Sequence, residues 1–590
     1  MPTESGVALP TRFRCHALAC LLATTAAPLF AQSDGAGAQM QRYQDETRAA
    51  ERRPTPPGAG RLPLPPTPSA EARAASDARL LVSGFDVHGV TRLTADDLTR
   101  VLAPYTGREL GTAEIHAAAD ALMAHYRALG YFAAKVFVPP HAIGEGIVRL
   151  DVYEGFLTED GIELEVRGDR VRSEVVAGVL SANLPSDRPM HRADFERALL
   201  LAEDLPGATI HSILYPGAEV GTARLRVRLD DEPAWAGNVD LDNFGNVHTG
   251  RIRLGTTLYA NSPTGAGDLL AGRAVVSGTD TVYGYLDYLR PINPHGTRIG
   301  ANVAHFRYQL DTIAGLDQGE GEATEWQAYL VHPVVRARHL NVNLRITAGR
   351  LDIDDRSAGD LDAARTVDVL TLGVGGDVDH DRWANGLTLF EASLSAGRVA
   401  IDGDSDYKAF DRSSAHTEGG FMRANLMLSR LQHLAGPLSL YARLTGQWAG
   451  KNLDSAQKFY LGGPENNVGY PVGEASGDEG LAAHLELRHQ LESPPWGGRL
   501  QSSLFLQQGW IRLHHAGWPG WEGGNGLIEN EFSQESVGVG LTQTWPGQWV
   551  VRGLVGWQLG DNPMRSPDND QASDGSDADH RGWIQVIHYF

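Results

Sequence analysis

Leu438–Trp448 reads LSLYARLTGQW, with Leu438, Leu440, Ala442, Leu444 and Trp448 opposed by Ser439, Tyr441, Arg443, Thr445 and Gln447. Alternation with period two puts these sets on opposite faces of an extended strand. In Leu340–Gly349, Leu340, Val342, Leu344, Ile346 and Ala348 alternate with Asn341, Asn343, Arg345 and Thr347. In Leu481–Leu491, Leu481, Ala483, Leu485 and Leu487 oppose His484, Glu486, Arg488 and Gln490. Polar faces this numerous, carrying Arg and Glu, do not suit the dry core of a soluble sandwich. They suit a barrel whose apolar face meets lipid and whose polar face lines a wet lumen. The pattern runs from Trp235 to a terminal aromatic, Phe590. Allotting about 22 residues to each strand and its loop gives roughly 16 strands, enough to enclose an aqueous channel. The expected fold class is mainly β: a transmembrane β-barrel over 234–590, preceded by two small α+β domains.

The first residues read as a secretory leader, 1–31: Arg12 and Arg14, the apolar run Ala17–Ala27, and Leu29-Phe30-Ala31 before Gln32. Cys15 and Cys20, the chain's two cysteines, fall inside it, so the mature protein is expected to lack disulfides and thiolate metal sites. A lipoprotein reading of Cys20 is disfavoured, because Ala17 stands where Leu is usual. No stretch of about 18 uncharged apolar residues follows, which a barrel does not need. The net charge of −22 argues against a nucleic-acid partner. The 68 glycines and 12 tryptophans suit tight turns and interfacial girdles, and polar lumen and loops account for the mean hydropathy of −0.26.

Residues 32–53 form a polar segment with a helix expected over Ala38–Arg53. The Pro-rich linker 54–79 follows, with seven prolines between Pro54 and Ser69. Residues 54–77 in extended form reach on the order of 75 Å. The segment reads equally as a helix that plugs the barrel at a distance from the next domain and as a disordered tail. Residues 80–156 suggest a β-α-α-β-β domain. Its strands are Leu80–Val90, Ala134–Val138 and Ile147–Tyr153. Its first helix opens on a capping box at Thr94–Asp97, and its second is Thr112–Leu129, with Ile115, Ala119, Leu122, Tyr126 and Leu129 inward and Gly130 as its stop. The order recurs in 157–233: strand Gly161–Val166, helices Ser173–Ala182 and Ala193–Leu205, strands Thr209–Leu214 and Ala223–Leu229.

Leader, polar helix, linker, paired small domains and large barrel resemble the two-partner secretion transporters, outer-membrane proteins with paired POTRA domains that export one large polypeptide. Tyr126–Pro139 (YRALGYFAAKVFVP) with Leu150–Gly155 (LDVYEG) is similar to the family's first POTRA domain, and Phe195–Gly217 to its second. Asp242–Gly250 (DNFGNVHTG) and Pro263–Asp268 (PTGAGD) resemble the barrel's opening hairpin. Phe459–Gly480 (FYLGGPENNVGYPVGEASGDEG) resembles the long loop that folds back into the lumen, which implies a pore-loop role for Val468, Gly469, Tyr470, Gly477 and Asp478. The family usually has Arg before Gly469-Tyr470, and Phe-x-Asp-x-Gly on the wall; here Val468 and Gln507, within Phe505–Gly509, replace the charged partners. Stranding one buried charge costs roughly 3–5 kcal/mol, whereas replacing both is nearly neutral. Joint loss therefore reads as a rewritten contact, with Gln507 bonding loop backbone, and puts in doubt any mechanism needing the Arg. Phe590, ending the alternating Trp583–Phe590, resembles the signal read by the barrel-assembly machinery.

The resemblance implies a transporter that captures an unfolded partner in the periplasm and passes it outward through the pore without ATP. The partner expected is a large secreted polypeptide of adhesin, cytolysin or toxin type, with outer-membrane lipid around the barrel. The alternatives are a barrel assembly or insertion factor of the same superfamily and a passive porin or receptor. No enzyme, cofactor or metal is expected. Asp402–Asp406 begins like a calcium loop, but Tyr407 stands where Gly is required and Ser413 where Glu belongs, so a solvated loop is expected. Asp568–Asp579 reads as an acidic external turn with room for loosely held divalent ions. His514-His515 lacks a third ligand and reads as loop. Gly373–Gly376 is too short and strand-like for a phosphate cradle, and the chain contains no Gly-x-Ser-x-Gly elbow.

Overall fold

The computed structural model describes residues 36–51 and 79–590, except 140–142, 145, 279–280, 310–318, 358–359, 381–384, 404, 492–493, 495, 523–528, 546, 548 and 567–568. The expected leader and all but the last residue of the linker lie outside the described residues. Sixteen antiparallel strands, from Trp235–Asp242 to His580–Tyr589, close into a barrel in chain order. The closing seam pairs Asn238–Asp242 with Gln585–Tyr589, and Phe590 extends it by exchanging backbone hydrogen bonds with Gly237 at 3.0 and 3.1 Å.

Strand Leu340–Ser357 shows how sequence polarity sets the height of the wall. Even-numbered positions point outward throughout. Leu340 and Ile346 are exposed apolar residues, whereas farther up Arg350 and Asp352 are exposed and pair with each other. The inward positions invert at the same level, from Asn341 and Arg345 to buried Leu351 and Ile353. The neighbouring strand Asp360–His380 repeats this, with outward Leu370, Leu372 and Val374 giving way to Asp368 while Arg365 and Val367 turn inward. Outward polarity marks where the wall leaves the lipid. The inward apolar patch above it needs something to pack against.

The first small domain has a three-strand sheet, Gly84–His88 parallel to Ile147–Tyr153 and Lys135–Phe137 antiparallel to it, with Ile143–Gly144 also paired to Ile147–Val148. The single strand expected over Leu80–Val90 is broken at Ser83. Leu80–Val82 leaves to pair with Arg108–Leu110, a strand too short to show a period. The capping box forms as read, Thr94 with Asp97, and helix Thr112–Ala128 ends before Gly130 at φ +97°. Leu129, expected inward, is exposed, because it lies past the last helical turn. In the second domain, strand Phe156–Val166 starts at the boundary between the domains. It lies parallel to Thr222–Asp231, which also pairs with Ala208–Pro216. Helices Ser173–Asn183 and Arg192–Glu203 cover one face, and Phe195, Ala198, Leu199, Ala202 and Leu205 are buried as expected.

Neither domain hangs loose. Phe132 of the first packs into the core of the second beside Phe195, ring centroids 5.5 Å apart, and Gly130 O accepts from Arg192 N at 2.9 Å. Asp204 of the second holds Arg336 of the wall at 2.7 Å, and Arg172 N donates to Gly265 O in a barrel turn at 3.0 Å.

Glu154 closes the first domain. It is 2 % exposed and accepts from Thr91 N (2.7 Å), Arg92 N (2.8 Å), the Tyr126 hydroxyl (2.8 Å) and the Thr91 hydroxyl. Burial works against its charge, but these donors outweigh burial and hold its pKa below the ordinary value. Glu154→Gln is expected to destabilise this domain by about 1–3 kcal/mol at neutral pH, by urea-dependent pulse proteolysis of the full chain. A depressed folded pKa gives stability that is present above the unfolded value, about 4.3, and lost as pH falls through the folded one. The gap between parent and variant is therefore expected to shrink below about pH 4.

Candidate functional site: the filled lumen

Two inserts meet the inward face of the wall. The first is helix Ala36–Glu51, where a helix is expected over Ala38–Arg53, whose last two residues lie outside the described residues. Its Ala36, Met40 and Tyr43 supply the apolar surface that Tyr283, Phe306, Leu351, Ile353, Val367, Val399 and Ile401 lack among themselves. Tyr43 stacks on Tyr283 at 5.1 Å and lies 5.5 Å from Phe306, with the Arg253 guanidinium over its ring at 5.3 Å. An ion pair fixes one end and a backbone hydrogen bond the other. Arg253 grips Asp242 through two nitrogens, at 2.8 and 3.2 Å, and reaches Glu46 with a third at 3.1 Å. At the other end Ala36 N donates to Asp355 at 3.0 Å, and Asp355 pairs with buried Arg365, which holds Asp454 at 2.9 Å. Gln44 donates to Glu325 at 2.5 Å, Gln41 to Lys458 O at 3.3 Å, and Arg42 lies over Tyr460 at 5.0 Å.

The second insert is the loop between strands Leu438–Ala449 and Glu479–Leu491. Its arms pair as Phe459–Leu461 with Ala475–Gly477. Buried Asp478 stitches the root, accepting from Leu453 N at 3.0 Å and His515 N at 2.8 Å, with Lys458 Nζ at 3.3 Å. The tip crosses to the far strands. Glu465 pairs with Arg552 at 3.0 Å, Asn467 donates to Gln534 O at 3.1 Å, and Gln558 donates to Gly469 O at 3.0 Å. Val468 N donates to Gln507 Oε1 at 2.8 Å, and Val468 O accepts from the Trp583 indole at 2.8 Å. Tyr470 is wholly buried beside them.

Glycines permit this fit. A Cβ on Gly556 would lie 2.3 Å from Val468 Cγ1, and one on Gly469 would lie 2.9 Å from the backbone carbon of Trp557. Gly477 and Gly509 leave room at the root in the same way, for Arg512 O and Leu461 respectively. The structure thus brings together Val468, Gly469, Tyr470 and Gln507 at the tip and Gly477, Asp478 and Gly509 at the root. Phe590 lies elsewhere, on the closing seam with its ring against Gly237. Sequence reasoning missed Arg253, Asp242 and Glu46 as a set. Asp242 opens a motif read as a hairpin, and nothing in the spacing ties it to Glu46.

The remaining motifs stay apart from both inserts or serve as scaffold. Asp402–Asp406, expected as a solvated loop, leads into helix Ser405–Ser413, whose buried Asp411 accepts from Thr417 N at 2.8 Å. That buried carboxylate, capping the return of the chain, is why the segment folds. His514 lies against Trp518 and Trp521, and burial with nearby Lys458 lowers its pKa to about 3. Asp574, in the acidic turn, pairs with Arg581 at 3.0 Å. Gly373–Gly376 lies within strand Asp360–His380. Among the described residues no group of three His, Cys, Asp or Glu is placed to hold a metal.

A closed sixteen-strand barrel with two small domains at one mouth and an inward-folded loop has the architecture of an outer-membrane transporter. Residues 80–155 match the family model for the ShlB-type POTRA domain, and residues 362–525 match that for the haemolysin secretion/activation protein ShlB/FhaC/HecB. The chain is 26 % identical to a heme/hemopexin transporter protein HuxB of Haemophilus influenzae over 504 residues, covering 84 % of this chain and 85 % of that protein. It is 24 % identical to an outer membrane transporter CdiB of Escherichia coli, with 76 % of each chain covered. A solved CdiB structure from Escherichia coli shares the fold, with a TM-score of 0.70 at 18 % identity over 94 % of this chain and 98 % of that one. The chain is a two-partner secretion transporter of the outer membrane, with its POTRA domains in the periplasm.

The Arg253 cluster yields a graded test. Arg253→Ala leaves Asp242 buried and unpaired, and is expected to cost about 3–5 kcal/mol, read as a lower temperature of heat-modifiable gel migration. Glu46→Gln keeps the Arg253–Asp242 fork, and because Glu46 is about a third exposed the expected cost is about 1 kcal/mol or less.

Proposed function

We propose that helix Ala36–Glu51 is a resident plug, and that the secreted partner displaces it and threads past the inward loop to the cell surface. The observation that carries this reading is the helix itself. It is seated by contacts spread over many wall strands, yet joined to the first periplasmic domain by a linker, residues 52–78, long enough to let it leave. The partner is a large unfolded polypeptide of adhesin, cytolysin or toxin type. In the second domain, strand Ala208–Pro216 lies at the sheet edge with one side unpaired among the described residues, and it offers backbone groups for capture by strand addition. The loop tip, through Val468, Gly469 and Tyr470 on Gln507, shapes the remaining passage, and its root at Gly477 and Asp478 stays fixed to the wall. Phe590 serves as the barrel-assembly signal, and lipid surrounds the outward apolar band. No nucleotide drives the movement; folding of the partner outside makes it one-way.

Insertion of other barrels is the rival reading, and a BamA structure from Haemophilus ducreyi shares the fold with a TM-score of 0.50 at 12 % identity. The seated helix favours export, because an insertase has no use for a lumen that empties. Deleting residues 36–51 is expected to convert a mostly closed protein in planar bilayers to one with steady, large conductance. Equal conductance with and without the helix would contradict the plug.

A further inference from the structure

The polarity of the loop anchor is determined by a residue outside both the loop and the wall motif. Gln507 is 2 % exposed, so each of its amide atoms needs a partner of the right kind. Its Oε1 faces two donors, Val468 N at 2.8 Å and the Ser536 hydroxyl at 3.2 Å. Val468 N–H can only donate, so the atom facing it must be the oxygen. The Gln507 Nε2 therefore points the other way, and it lies 2.8 Å from His484 Nδ1. An amide nitrogen only donates, so Nδ1 must carry the lone pair and Nε2 the proton. Nε2 faces Glu486 at 3.3 Å, and Glu486 holds Arg488 at 2.6 Å. The imidazole is wedged between rings, stacked on Phe505 at 5.7 Å and edge-on to Tyr441 at 5.8 Å.

We infer that His484 is the positioning residue of the pore loop: its Nδ1 lone pair orients Gln507 so that an acceptor, not a donor, meets the loop backbone. This deepens the reading of the loop as the transport element and rests on it. Without an acceptor at Nδ1, the Gln507 NH₂ is buried unpaired. Rotating the amide to relieve it sets NH₂ against Val468 N–H, donor against donor. Protonating His484 has the same effect, because Nδ1–H then faces NH₂. The charged groups around the imidazole are Glu486 and Arg488 on its own strand, Arg443 on the neighbouring strand and Glu465 in the loop tip, with Tyr441 as the adjoining titratable ring. The other surrounding groups, Gln507 and Phe505, are neutral. A neutral wall residue can hold the loop backbone here because this relay orients it.

The test uses the full chain with Cys15 and Cys20 replaced by Ser and Val468→Cys as its thiol, since Val468 is wholly buried. His484→Leu is expected to raise the rate of labelling by a small maleimide about tenfold. His484→Asn, whose Oδ1 supplies an acceptor close to the Nδ1 position, is expected to stay within about twofold of the parent. Parental labelling in His484→Leu, or labelling in His484→Asn as fast as in the Leu variant, overturns the proposal. Where His484→Leu does not assemble, His484→Ala takes its place, and parental labelling in it, or labelling in His484→Asn as fast as in it, overturns the proposal. Labelling as expected with partner export unchanged in both variants would leave the anchor standing and remove the loop from the transport mechanism.

Discussion

A cylinder of sixteen strands encloses more space than its own inward side chains fill, and the rest of the molecule answers that fact. The wall points Asn341 and Arg345 into the lumen beside the lipid and Leu351, Ile353 and Val367 into it above. The polar face is satisfied by lumen water and by neighbouring wall groups, but the apolar patch needs contact. The helix answers the apolar patch with Ala36, Met40 and Tyr43, and the loop answers the opposite wall with backbone groups.

The two inserts are held in different ways, and the difference suits their roles. The helix is tied by charges, and the wall partners keep company when it goes. Arg253 retains its two-nitrogen grip on Asp242, and Arg365 retains Asp355 and Asp454. The buried wall charges keep partners on departure, which lowers the barrier to release, while half-buried Glu325 exchanges Gln44 for water. The loop is tied by close backbone approach at Gly556 and Gly469, by donors from Trp583 and Gln558, and by the oriented amide of Gln507. Those contacts are short and geometrically exacting, and they add to the ion pairs Glu465–Arg552 at the tip and Lys458–Asp478 at the root. The helix can leave as a unit, while the loop adjusts in place.

Much of this was legible in the sequence, for physical reasons. Period-two alternation over Leu340–Gly349, Leu438–Trp448 and Leu481–Leu491 is a local consequence of lipid on one side and water on the other. The stripe Ile115, Ala119, Leu122, Tyr126 and the Thr94–Asp97 box are equally local, and they form as read. The exchange of an ion pair for Gln507 bonding loop backbone was readable because two substitutions at linked positions admit few physical answers. What was not legible is what long-range closure creates. The Glu46–Arg253 pair spans 207 positions, and no periodicity encodes it. Arg108–Leu110 is too short to alternate, and the helix at Ser405–Ser413 depends on the burial of Asp411 against its own loop. His484 was visible only as one more inward polar residue of a strand, because its meaning lies in which atom faces Gln507.

The central claim is that the helix occupies the route the partner takes. A Cβ on Gly321 would lie 3.0 Å from Ala36 Cβ, close enough for a disulfide once the Tyr308 ring and the Asp355 carboxylate, at 2.5 and 2.6 Å from that Cβ, shift aside. In a chain with Cys15 and Cys20 replaced by Ser, Ala36→Cys with Gly321→Cys pins the helix to the wall when oxidised. Partner export by the oxidised double variant is expected to stop and to recover on reduction, with each single variant exporting normally in both states. Export at the parental rate with the disulfide shown to be formed would contradict the account.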